Sequence, residues 1–89
     1  MKYTISFKNL EHTEALDSKI KEKSNKLQKH LQEDAEINWT CWTEHDSQYA
    51  EVKVHDGKNN YRVKADSDNL YKTLDIVLNK LENQISHKH

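Results

Sequence analysis

The sequence predicts an α+β fold of order β-α-β-β-β-α, a two-layer sandwich in which a four-stranded sheet carries both helices on one face. Three observations predict it. Four segments alternate apolar and polar residues, and two longer segments place apolar residues at helical spacing. Apolar residues make up only 34% of the 89 residues, so the core is thin. We therefore interpret residues 1–89 as one domain.

The strands are predicted from alternation over short stretches. Apolar residues alternate with polar ones in four segments, which are 3–7, 37–41, 50–54 and 61–65. The polar run 44–47 and the pair Asp56-Gly57 predict hairpin turns that join the last three strands. The short β-α-β unit at the start predicts that the first two strands are parallel neighbours.

The helices are predicted from apolar stripes and caps. Thr13 offers an N-cap for a first helix that runs roughly from Glu14 to Gln32. A second helix begins after a cap at Asp68 or Ser67. Its inner stripe consists of Leu70, Leu74, Val77, Leu81 and Ile85. Since each strand has only one apolar side, both helices are expected to cover the same face of the sheet.

The composition argues against several functional classes. A single cysteine, Cys41, provides no internal disulfide and suits a reducing compartment; its position in the alternation predicts a small buried side chain. No run approaches the ~18 apolar residues of a membrane span, and the first residues do not resemble a signal peptide. The sequence shows no catalytic pattern and no phosphate loop, and His87 and His89 alone are a weak metal signal. We expect a cytoplasmic protein that is not an enzyme and has no cofactor, metal or small-molecule substrate.

Basic residues recur along both helices. Lys19, Lys23, Lys26 and His30 fall at i, i+4, i+7 and i+11, beside the apolar stripe of the first helix. The corresponding flank of the second helix carries Lys80, Asn83, Gln84 and His87, with Lys88 just beyond. Such rows suit a phosphate backbone, because lysines that neutralise phosphates release counterions. The alternative is a solvated helix flank whose lysine stems cover the edge of the core.

Two aromatic residues are predicted to lie on the sheet face opposite the helices. Trp42 and Tyr49 become cross-strand neighbours there if Trp39 and Val52 point toward the core. Such a pair either stabilises the hairpin or forms a contact site, as a base-stacking platform or a protein contact. Both alternatives remain open at the level of the sequence.

Three stretches carry a resemblance to a known family. Residues 9–16 (NLEHTEAL) and 22–27 (EKSNKL) are similar to the opening and the lysine-rich middle of that family's first helix. Residues 68–71 (DNLY), together with Asp75, Lys80-Leu81 and Gln84-Ile85, match its second helix. The chain resembles, over nearly its whole length, the short ribosome hibernation-promoting factors, which belong with protein Y and ribosome-associated inhibitor A.

The resemblance implies a double-stranded-RNA-binding-like sandwich and a bacterial translation inhibitor that acts under stress or in stationary phase. It implies that the helices bind 16S rRNA of the 30S subunit and that the domain blocks the path of messenger and transfer RNA. We expect a monomer when free, with neither membrane nor DNA as a partner. The net charge of −1 and three departures from the family pattern, Asp17, Glu82 and Asn83, keep an alternative open: a protein-interaction or homodimerising module with weakened or lost RNA binding.

Overall fold

The predicted order of elements is confirmed by a computed structural model, which describes residues 1–88. The side chain of Lys88 and the whole of His89 lie outside the described residues. The elements are β1 (Lys2–Lys8), α1 (Glu14–Ser24), a 3₁₀ helix (Asn25–His30), β2 (Glu36–Glu44), β3 (Ser47–Asp56), β4 (Asn59–Ser67) and α2 (Leu70–Lys88).

The four strands form one sheet in the order β1-β2-β3-β4. β1 runs parallel to β2, with Lys2 opposite Glu36 and Lys8 opposite Trp42, as the β-α-β unit predicts. The other two pairings are antiparallel hairpins. The side chains of each strand therefore point alternately to the two faces of the sheet. The register of the pairings determines which residues share a face.

The first hairpin turn lies at residues 44–47, where the sequence predicts it. Glu44 and Ser47 still pair, so the loop contains only His45 and Asp46, with φ values of 49° and 67°. Two consecutive residues with positive φ are typical of a type I′ turn, whose twist matches that of the strands. In the second turn, Gly57 has a φ of 62°, which favours glycine.

The core lies between the sheet and the helices. Strand residues such as Trp39, Val52 and Val63 share one buried cluster with Ile20 of α1 and Leu74 of α2, which confirms that both helices cover one face. The indole Nε1 of Trp39 donates a hydrogen bond of 2.9 Å to Ser24 Oγ, so the polar atom of this large buried ring has a partner. None of the described helices is long and apolar enough to cross a membrane.

Cys41 lies on the inner face of β2 and is fully buried, as predicted. Burial raises the pKa of its thiol from 9.0 to about 11, since the apolar surroundings disfavour the thiolate. Cys41 is therefore a packing residue of the sheet rather than a nucleophile.

The predicted end of the first helix is wrong. The α-helix begins at Glu14 as expected, with the Thr13 hydroxyl accepting a hydrogen bond from the Leu16 N–H, but it ends at Ser24. The chain continues as a 3₁₀ helix, which has 3.0 residues per turn instead of 3.6. Neither glycine nor proline marks the change, so the sequence carries no local signal for it.

The cap of α2 also differs from the prediction. Asn69 provides it, because its Oδ1 accepts hydrogen bonds from the N–H groups of Tyr71 (2.8 Å) and Lys72 (3.3 Å). The hydroxyl of Ser67 instead accepts from the Asn69 N–H at 3.2 Å, which shapes the turn before the helix. Asp68 remains exposed beside this turn.

Candidate nucleic-acid interface

The helix surface, defined here as the solvent-facing side of α1, the 3₁₀ helix and α2, carries most of the predicted RNA-binding residues. Lys26 and Lys80 are exposed, and Lys19 is half-buried. Of the two predicted histidines, His30 is half-buried and His87 is exposed. Lys88 belongs to the same predicted set, but its side chain lies outside the described residues.

Lys23 differs from the other predicted residues because it already has an anionic partner. Its Nζ forms a hydrogen-bonded ion pair with the Asp75 carboxylate of α2, and its side chain is only 15% exposed. The pair joins the two helices across 52 positions of sequence. A phosphate that reaches this ammonium has to displace a carboxylate, so Lys23 is a weaker candidate than the sequence suggests.

Two further lysines on the helix surface also face carboxylates. Lys21 Nζ lies 3.9 Å from Asp17 Oδ2, and Lys72 Nζ lies 3.9 Å from Asp68 Oδ1. Both pairs have i,i+4 spacing. Within the described residues, four helix-surface lysines have no carboxylate within 4.0 Å, and these are Lys19, Lys26, Lys29 and Lys80.

Lys29 was not among the residues that sequence reasoning selected. It lines an open groove together with Lys26, Asn25, Gln28 and Glu82. Lys26 and Lys29 are three residues apart, which is one turn of a 3₁₀ helix, so their side chains project in the same direction. The sequence predicts an α-helix over these residues, and α-helical spacing does not place Lys26 and Lys29 in line. Only the 3₁₀ helix does so.

The same change in helix type disturbs the predicted row. Each residue advances by 120° in a 3₁₀ helix and by 100° in an α-helix, so positions after Ser24 rotate by roughly 20° per residue relative to α-helical spacing. Lys26 shifts by roughly 40° and His30 by roughly 120°. The structure therefore keeps Lys26 near the line of Lys19 and turns His30 away from it.

Glu82 introduces a negative charge into this surface. It is half-buried and borders the groove that contains Lys26 and Lys29. A carboxylate at this position lowers the attraction of both ammonium groups for a phosphate. The acidic residue that the sequence singled out thus lies within the basic surface rather than at its margin.

The opposite face of the sheet carries the aromatic pair. Trp42 and Tyr49 are directly paired in register, and their rings are nearly parallel (7°) with centroids 5.2 Å apart. The predicted cross-strand neighbours are thus confirmed as a stacked pair, while a contact role for them stays a prediction. The Lys64 ammonium lies 5.7 Å from the Trp42 ring and 5.9 Å from the Tyr49 ring, within the range of a cation–π interaction.

The described residues contain no group of three His, Cys, Asp or Glu side chains that is placed to bind a metal ion. What the two surfaces offer is ammonium groups, amides and aromatic rings. This chemistry suits recognition of charge and shape.

Comparison with known proteins identifies the family. A family model described as "Sigma 54 modulation protein / S30EA ribosomal protein" matches residues 3–89. The chain belongs to this family. This match confirms the family resemblance found in the sequence. A separate search of curated proteins finds no match.

Solved structures support the fold of this S30EA family member. The protein Y N-terminal domain of Thermus thermophilus superposes with a TM-score of 0.92 at 21% identity and covers 100% of both chains. A ribosomal subunit interface protein from Coxiella burnetii gives a TM-score of 0.88 at 21% identity and covers 99% of this chain and 97% of that one. At these identities the likeness establishes the shared architecture.

Proposed function

We propose that this protein is a ribosome hibernation factor of the short type, which binds the 30S subunit and inhibits translation by occupying the path of messenger and transfer RNA. The observation that carries the proposal is the family match over residues 3–89. The family is non-enzymatic, so occupancy rather than chemistry accounts for the inhibition. On this proposal residues 1–89 act as one cytoplasmic domain under stress or in stationary phase.

The helix surface is the proposed contact with 16S rRNA. Four of its lysines are free of carboxylate partners among the described residues and supply the phosphate contacts: Lys19, Lys26, Lys29 and Lys80. His87 extends this surface along α2, and Lys23 contributes when its pair with Asp75 opens. Such contacts read the backbone of folded RNA by shape and charge, without reading its bases.

The direct test is co-sedimentation of the purified protein with 30S subunits over a range of salt concentrations. If four lysines each neutralise a phosphate, the log–log slope of affinity against salt is about −2.8 to −3.6, at about 0.7–0.9 per phosphate. Pelleting at low salt that falls with this slope supports the proposal. A protein that stays in the supernatant at every salt concentration contradicts it.

A second candidate function is a protein-interaction or homodimerising module on the same scaffold. The pairing of Lys23 with Asp75 and the position of Glu82 beside Lys26 and Lys29 favour it, because both interrupt the positive surface. Analytical ultracentrifugation separates the two functions. A hibernation factor of the proposed type sediments as a monomer and pellets with 30S subunits, whereas the module dimerises with rising concentration and leaves the subunits unbound.

A further inference from the structure

The outer sheet face, opposite the helices, is ordered by the register into four transverse rows. From one end to the other, the rows are Lys2–Glu36–His55–Asn60, Thr4–Asn38–Lys53–Arg62, Ser6–Thr40–Glu51–Lys64 and Lys8–Trp42–Tyr49–Asp66. Trp42 and Tyr49 are the large apolar side chains among these residues. They occupy the two central strands at one end of the face, and the cations follow along β3 and β4.

The aromatic pair is built for contact with a planar group. The rings form an offset stack and neither residue is buried, so part of each ring surface remains accessible. Lys64 holds a positive charge close to both rings, and Lys8 is exposed beside Trp42 in the same row. A base that extends the stack beyond Trp42 therefore finds cations at Lys8 and Lys64, whereas the neighbour of Tyr49 in the row is Asp66.

A second feature of the same face also favours an anion. Lys53 and Arg62 are directly opposite each other in the register, and like charges at such positions repel. Arg62 Nε donates to Glu51 Oε2 at 2.8 Å, and the Glu51 side chain is only 14% exposed, so this acid is neutralised within the sheet. Among the described residues Lys53 has no carboxylate within 4.0 Å, so Lys53 is the cation of the two that remains available to a phosphate.

We propose that the outer sheet face is a second nucleic-acid site, which binds a short single-stranded RNA segment. A base stacks on the Trp42–Tyr49 pair, and the phosphates that follow it lie along Lys64 and Lys53. Lys64 and Lys53 lie on adjacent strands in neighbouring rows, so they are diagonal neighbours whose attachment points are about 7–8 Å apart. The site is independent of the helix surface and of 30S binding.

Single-stranded RNA fits this face better than a protein does. The centre of a protein interface is apolar and poor in charge, whereas this face has one aromatic pair among charged and polar side chains. Base stacking needs only a few aromatic rings beside cations and tolerates any sequence. RNA rather than DNA is the expected strand because the chain belongs to a ribosomal protein family.

Fluorescence titration of the full chain with an oligouridylate of about ten nucleotides tests the proposal. Trp39 is 1% exposed, so quenching of tryptophan emission reports on Trp42. We expect Trp42→Ala to weaken binding of a labelled oligouridylate by about 5- to 150-fold, the range for one stacked base, and Trp42→Phe to retain most of the affinity. Replacing Lys53 and Lys64 together with glutamine should reduce the salt slope by about 1.4.

The helix-surface pair Lys21→Gln with Lys72→Gln is the matched control, since it removes the same charge at two lysines that already face carboxylates. It should leave oligouridylate binding within about twofold, because no phosphate lies there in the proposed complex. If this control pair lowers the affinity for the oligouridylate more than the Lys53/Lys64 pair does, the proposal is overturned. A Trp42→Ala protein that binds the oligouridylate normally also overturns the proposal. If that variant loses affinity for 30S subunits as well, Trp42 belongs to a protein contact and not to an RNA site. Failure of 30S binding in co-sedimentation leaves the result of this titration unaffected.

Discussion

The helix surface and the outer sheet face both carry lysines, but they differ in what surrounds each ammonium group. Of seven helix-surface lysines with described side chains, three lie beside carboxylates: Lys21, Lys23 and Lys72. On the outer sheet face, Lys64 lies beside aromatic rings and Lys53 lies opposite an arginine. The net charge of −1 conceals this difference, because the availability of a cation depends on its partner and not on the total.

The difference separates two kinds of nucleic-acid recognition. Ammonium groups spread over helices present charge to the phosphates of a folded RNA and require no accessible base. Stacked rings beside cations require a base that is free of its own stack. A sheet with both helices on one side offers a different surface to each kind of target, and substitutions confined to one surface test whether the two act separately.

The largest expected effect comes from reversing charge on the helix surface. We expect Lys26→Glu with Lys80→Glu to weaken 30S binding by about 100-fold, since each charged contact contributes about 1.5 kcal/mol or more. The measurement is co-sedimentation at low salt. Lys23 is left intact, because glutamate there repels Asp75 and confuses loss of binding with loss of structure.

The control for this pair is Lys2→Glu with Lys58→Glu, which changes the net charge equally. Lys2 lies at the far end of the outer sheet face, and Lys58 lies in the turn between β3 and β4; both are exposed. Equal losses from the two pairs would show that only the overall charge matters. That result would remove the distinction between the surfaces for 30S binding.

The next effect concerns the core that both surfaces share. Burial raises the pKa of Cys41 from 9.0 to about 11, so the neutral thiol stabilises the folded state fully below pH 9 and this contribution is lost as pH rises toward 11. Between about pH 8 and pH 10 the free energy of unfolding should fall by about 1 kcal/mol more than in Cys41→Ala. Denaturant titrations of both proteins measure the difference, and parallel curves would show that the thiol ionises freely in the folded state.

The strands could be predicted from the sequence because alternation is a local property. The alternation of Ile37, Trp39 and Cys41 with polar residues shows within five positions which side chains face the core. The parallel pairing of β1 with β2 follows from one β-α-β unit. The stack of Trp42 on Tyr49 was predictable for the same reason, since a short hairpin sets its own register. The fold and the outer aromatic pair thus follow from short-range rules.

The helix surface was less predictable because its decisive features are tertiary. The pair of Lys23 with Asp75 joins residues 52 positions apart, and no local pattern indicates which lysine meets which acid. The 3₁₀ helix after Ser24 lacks a breaker residue, although Ser24 itself is buried and bonded to Trp39. Both features involve contacts between distant parts of the chain, and they changed the roles expected for Lys23 and His30 and revealed Lys29.

A smaller effect is expected from Asp75→Asn, which releases Lys23. The ion pair is partly exposed, so its loss should lower the free energy of unfolding by less than about 1 kcal/mol. The freed ammonium adds a phosphate contact, so 30S binding should tighten at low salt and its salt slope should steepen by about 0.7–0.9. The variant should leave oligouridylate binding to the outer sheet face unchanged. An unaltered slope for 30S subunits would place Lys23 outside the ribosomal contact.

The smallest effect, and the one that examines the groove itself, is expected from Glu82→Gln. The substitution keeps the size of the side chain and removes the carboxylate beside Lys26 and Lys29, so 30S affinity should rise by about two- to threefold at low salt. Glu33→Gln removes an equal charge from an exposed residue between the 3₁₀ helix and β2 and should change affinity much less. If both variants bind equally well, Glu82 lies outside the RNA contact. If only Glu82→Gln gains, the groove between the 3₁₀ helix and α2 is part of it, and the acid within it limits the affinity of this protein for the ribosome.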